Sequence, residues 1–144
     1  MARLTLAKAN RIISQGLAKA REQDMKPLAV VVLDAGGMPK AVQLQDGVPF
    51  GRFDVAAGKA RAALVIGSGS RKLNGQAGER PHFLGGLSSV IEGGIVPVPG
   101  GVLIRSPKGE TLGAVGISGD TSDNDEIAAI ASIEGAGLVA KTGA

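Results

Sequence analysis

LAVVVLDAGGMPKAVQLQD, residues 28–46, decides the fold. Its first part, LAVVVLD, is a short β-branched run with no polar face, the pattern of a strand covered on both sides. AGGMP then has the composition of a turn. In AVQLQD, Val42 and Leu44 alternate with Gln43 and Gln45, which predicts a strand with one face in water. A turn this short joins neighbouring strands only in antiparallel fashion, so the stretch predicts a hairpin and an antiparallel sheet.

The flanks supply helices for that sheet. Upstream, Leu6, Ala9, Ile13, Leu17 and Ala20 recur at three- and four-residue spacing, predicting an amphipathic helix from about Thr5, its cap, to about Gln23. Pro27 forbids its continuation. Downstream, Phe53, Ala57, Ala60 and Leu64 mark one face of a second helix over residues 50–66, with Pro49 suited to its first turn. Gly58 in the middle of that helix costs about 1 kcal/mol relative to Ala, which predicts the close approach of another backbone. GSGSRKLNGQAGERPH reads as a loop with room for one short helix. SSVIEG, GVLIRS and TLGAVGIS predict three more strands, the last two joined by a Pro-Lys-Gly-Glu turn. Ser122 with Asp125 fits the capping box of a final helix, on which Ile127, Ile130, Ala131 and Leu138 form a stripe that also holds Glu134. The predicted class is therefore α+β, an antiparallel sheet packed by helices.

Composition bounds the function. With 144 residues, 44% of them hydrophobic and 20% charged, the chain fits one globular domain spanning residues 1–144. Three Phe, with no Tyr or Trp, leave almost nothing on which nucleobases could stack. The net charge of +3 is scattered rather than gathered into a basic run, so no nucleic-acid partner is expected. Without cysteine there is no disulfide, thiolate nucleophile or Cys-ligated metal. The basic, amphipathic N-terminus lacks a secretory apolar core, and no run approaches the roughly 18 apolar residues of a membrane span. A cytoplasmic location is the default expectation.

Several constellations invite a chemical reading. EGGIVPVPGGVLIR, residues 92–105, has two Gly-Gly pairs but matches neither a P-loop nor a dinucleotide fingerprint, so it reads as turns bracketing a proline-stiffened crossing between strands. Asp120, Asp123, Asp125 and Glu126 lack the spacing of a calcium loop, and helix capping accounts for most of them. No metal centre is expected, since a site built on His82, the only histidine, would need carboxylates for all its other ligands. Arg52, Asp54, Lys59 and Arg61 lie on the second helix, either as the wall of a pocket for an anion or as an exposed face laced with salt bridges. Glu134 on an apolar stripe must be paired, or must line an interface or cavity.

PLAVVVLDAGG, DVAAGKARAAL, GGIVPVPGGVLIR, GAVGISG and DTSDNDE, in that order, resemble the GlcG/HbpS-like family, often labelled haem-binding or haem-degrading, to which the C-terminal domain of the PduO cobalamin adenosyltransferases belongs. The resemblance implies a profilin-like fold with a five-stranded antiparallel sheet flanked by helices. It also implies dimers that assemble further, often to octamers, and so close packing across subunits at Gly58 and the Gly-Gly turns. Two functions follow as expectations. One is an oligomer that binds haem, a corrinoid or another small ligand in clefts between subunits. Arg52, Lys59, Arg61, His82, Phe83 and Glu134 are then the candidate ligand-binding residues, His82 is the only imidazole for iron, Met25 and Met38 are weaker substitutes, and Phe50, Phe53 and Phe83 are the only aromatics. The other is a cofactor-free hydrolase, isomerase or lyase acting on a small anionic or aromatic metabolite. There His82 or Asp54 would be the general acid/base, and Arg52, Lys59 or Arg61 would hold a carboxylate.

Overall fold

The computed structural model describes residues 3–144. Thr5 caps α1 (Leu6–Glu22), its hydroxyl accepting a hydrogen bond from the Lys8 N–H. The hairpin follows as β1 (Ala29–Asp34) and β2 (Pro39–Leu44), paired antiparallel, and then comes α2 (Gly51–Ile66). Two short helices, α3 (Arg71–Asn74) and α4 (Pro81–Val90), precede β3 (Gly101–Arg105) and β4 (Thr111–Ser118). The chain closes with α5 (Ser122–Glu134) and β5 (Val139–Lys141). The five strands form one antiparallel sheet in the order β2-β1-β4-β3-β5.

Alternation along β1 sends its residues to two cores. Val30 and Val32 join Val102, Ile104, Val115 and Ile117 under α1 and α5, whereas Ala29, Val31 and Leu33 meet Ala56, Ala57, Ala60 and Ala63 of α2. With so few aromatics, the α2 layer is built from alanine, which lets the helix lie close to the strands. Helix α2 packs on β4, β1 and β3 and leaves β2 uncovered on that side.

Four sequence expectations change. SSVIEG is not a strand: Ser88–Val90 complete α4, and Leu84, Leu87 and Ile91 at helical spacing pack with Leu73 and Ile95. The fifth strand is instead β5, only three residues long and held against β3 by the register Leu103↔Lys141, Ile104↔Ala140 and Arg105↔Val139. On α5 the cap is Thr121, one residue earlier than Ser122. The buried face of α5 is Asp125, Ala128, Ala129, Ser132 and Ile133, while Ile127 is 38% exposed and Glu134 faces solvent. Small residues win that face because α1 passes close by: a Cβ at Gly16 would sit 3.0 Å from the Ser132 Cβ. Along β2, Val42 and Leu44 are both exposed and Ala41 is the residue packed against the core, because the strand lies at the sheet edge.

Candidate functional site

The two Gly-Gly pairs of residues 92–105 receive two of the cations of α2, Lys59 and Arg61. The Lys59 ammonium, fully buried, donates to the Ile117 carbonyl and to Asp125 Oδ2, both at 3.0 Å. It passes beside Gly100, whose φ of 122° suits glycine and where a Cβ would lie 2.8 Å from Lys59 Nζ. Asp125, equally buried, accepts the Asp120 N–H on its other oxygen at 2.9 Å. Burial pulls the Lys59 pKa down, against the attraction of Asp125, and pushes the Asp125 carboxyl up, against Lys59 and the Asp120 N–H. The Gly100–Gly101 turn therefore leaves a path for a lysine from one layer to reach the first turn of a helix in another.

Arg61 uses the other pair. Its Nε donates to the Gly94 carbonyl and its Nη2 to the Gly93 carbonyl, each at 2.8 Å. Gly58 belongs to the same seam, its carbonyl accepting the Val96 N–H at 3.1 Å. The close backbone that Gly58 admits thus belongs to the same chain, whereas the family resemblance had suggested a neighbouring subunit.

Capping explains less of the acid run than expected. Arg71 donates through Nη2 to Asp123 at 2.5 Å and through Nε to Glu126 at 3.0 Å. Those hydrogen bonds hold the guanidinium pKa above its ordinary value. Asp120 accepts from the Lys26 N–H at 2.9 Å, the Thr121 N–H at 2.8 Å and the Asn124 amide at 2.7 Å, and these bonds lower its pKa.

A cleft of about 620 Å³ lies between α2 and the β1–β2 hairpin. Val31 and Leu33 form its floor, Phe53, Leu64 and Val65 one wall, and Met38 and Val42 the other. Ile91, Glu92 and Arg61 close one end. This size falls within the range typical of small-molecule sites.

Of the candidate acid/base and ligand-binding residues Arg61 alone lines this cleft, joined there by Met38 and Phe53 from the wider set considered for haem. Arg52 donates to the Ser118 hydroxyl at 3.3 Å, Lys59 is engaged with Asp125, and Asp54 is exposed. His82 is exposed at the start of α4, so it does not meet Asp54 in the cleft. Phe83 lies under the Arg80 guanidinium, 4.4 Å from ring centroid to carbon, and packs with Leu73 and Ile95. Among the described residues no three His, Asp or Glu side chains are grouped so as to hold a metal ion. No helix there is long and apolar enough to cross a membrane. Sequence reasoning missed Ile91 and Glu92 as cleft residues, and it named Met38, which lines the cleft, only as a weaker ligand for iron. For Ile91 the Leu84–Leu87–Ile91 spacing was the available signal, and for Glu92 there was none.

Residues 4–134 match the family model described as haem degrading protein, HbpS-like. The chain belongs to the HbpS-like family. It is 30% identical over 129 residues, 90% of its own length and 89% of the relative's, to the uncharacterized 15.0 kDa protein of the dhaT–dhaS intergenic region of Citrobacter freundii. Its fold is similar to that in the crystal structure of a PduOC–haem complex, with a TM-score of 0.83, 21% identity, and coverage of 95% of this chain and 97% of that one. Klebsiella pneumoniae protein ORFY is similar at a TM-score of 0.84 and 24% identity, covering 95% and 93% of the two chains. HbpS itself follows at 0.78 and 22%, covering 92% and 89%. The five-stranded antiparallel sheet flanked by helices is thus the fold this HbpS-like chain shares with those structures.

Proposed function

We propose that this HbpS-like chain is a small-ligand-binding protein that takes haem or a related tetrapyrrole in the cleft between α2 and the β1–β2 hairpin, and that a second protomer closes the cleft. The observation that carries the reading is the cleft itself: about 620 Å³, walled by Val31, Leu33, Phe53, Leu64 and Ile91, with one guanidinium at its end. Such walls suit a flat, largely apolar macrocycle, whose transfer from water they would drive. Met38 Sδ and the Glu92 carboxylate are the side-chain donors in the lining able to face an iron ion, since His82 is not part of it. Bound haem would supply a redox-active iron, while the chain's own residues bind it, orient it and exclude water. Family membership and the haem complex of the similar PduOC structure support the same ligand class. The exposed apolar side chains of the β1–β2 hairpin and of the residue preceding α2, Met38 at 65%, Leu44 at 50% and Phe50 at 90%, favour burial against a second copy.

Sedimentation velocity monitored at the haem Soret band tests both parts at once. The expected result is saturable haemin binding on a species heavier than one chain. Val65→Glu, which puts a charge at a half-open position of the cleft wall, is expected to weaken that binding by roughly tenfold or more. His82→Ala is expected to leave it unchanged. Non-saturable binding indifferent to Val65→Glu would overturn the cleft, and Soret absorbance sedimenting with the monomer would overturn the closure. Loss of binding in His82→Ala would move the ligand to α4.

A further inference from the structure

Arg61 is held in an unusual way for a surface cation. Two of its three nitrogens are fixed by the Gly93 and Gly94 carbonyls at 2.8 Å, so the guanidinium plane is set before any ligand arrives. Among the described residues Arg61 makes no ion pair, and its Nη1 makes no hydrogen bond. It is half-buried at one end of a cleft whose other walls are mostly apolar. Carbonyls orient a guanidinium but do not neutralise it, so a full positive charge with free N–H groups remains at that end. Pre-orientation also removes most of the side-chain entropy that an arginine otherwise loses on binding.

We propose, building on the cleft reading above, that Arg61 makes this site selective for apolar ligands carrying a carboxylate, which its Nη1 receives. The carboxylate is favoured over a phosphate on two grounds. With Nε and Nη2 occupied, the fork that grips phosphate through several donors is reduced to one edge. Glu92 also lines the cleft, and its negative charge opposes a dianion more than a monoanion. Glu92 itself forms no ion pair with Arg61, so it tempers the site without filling it.

Iron-free protoporphyrin IX and its dimethyl ester test this without any contribution from metal ligation. The two share a macrocycle, and only the first bears carboxylates. Titrations followed by porphyrin absorbance are expected to show the wild-type chain binding the acid roughly tenfold more tightly than the ester, the scale of one charge-assisted hydrogen bond. Arg61→Met is expected to erase that preference by lowering acid affinity to that of the ester. Because this change also releases the Gly93–Gly94 turn, Glu92→Gln provides the second arm: it leaves the two carbonyl bonds in place and is expected to widen the preference for the acid. Equal affinity for acid and ester in the wild type overturns the inference and spares the cleft reading. So does a preference that survives Arg61→Met, or one that narrows in Glu92→Gln. Absence of binding by either porphyrin overturns both.

Discussion

Lys59 joins α2 to β4 and α5. It leaves α2, passes Gly100 and ends on Asp125 in the first turn of α5, with both charges out of water. A buried pair of this kind adds little net stability compared with apolar residues of equal size, but removing one partner strands the other. Lys59→Met is therefore expected to destabilise the fold by about 3–5 kcal/mol. The double variant Lys59→Met/Asp125→Leu is expected to recover a large part of that loss. Urea unfolding of the two variants checks this, and a double variant no more stable than the single one would mean that Asp125 is not the stranded charge. In sequence, Lys59 is one cation on a mixed helix and Asp125 one of several acids near a cap. Nothing in residue type or spacing distinguishes them, because their pairing spans 66 residues and is made by the sheet between them.

At the scale of elements, α2 shows what a glycine inside a helix signals. Gly58 predicted a close backbone, and the loop after α4 provides it: a Cβ at that position would lie 2.7 Å from Val96 Cγ2 and 3.3 Å from the Val96 N. Gly58→Ala gains about 1 kcal/mol in helix propensity but forces Val96 or the helix to shift, an overpacking cost of about 1–3 kcal/mol. The net expectation is a modest fall in thermal midpoint, and a rise would show that the Val96 loop yields easily. Trimming that neighbour in Gly58→Ala/Val96→Ala should reverse the sign. Elements with strong local patterns were legible: α1, the hairpin, α2 and the β3–β4 pair stand close to where their residues place them. Helix α4 was not, because Gly85, Gly86, Ser88 and Ser89 dilute its apolar spacing. Strand β5 was not either, since three residues carry no period and only β3 defines them as a strand.

At the scale of the whole molecule, Asp120 ties distant parts together: the Lys26 N–H before β1 and the Thr121 and Asn124 groups at the start of α5 all bond to it. Its folded pKa is depressed by those bonds. The associated stability is therefore fully present above the ordinary aspartate pKa and is lost as pH falls through the lower folded value. Asp120→Asn is expected to be less stable at neutral pH and to lose less stability on acidification, the two proteins converging at the acid end. Thermal midpoints measured across that range check the sign; parallel curves would mean that Asp120 does not couple to folding.

The sequence by itself determined the α+β class, the antiparallel hairpin, the two main helices and the family, because each rests on residues near one another in the chain or on ordered local patterns. Only the tertiary structure decided which cations became buried, which remained at the cleft and that His82 stands apart from it. Those outcomes depend on which layers meet, and a charge takes its role from the distant groups that replace its water.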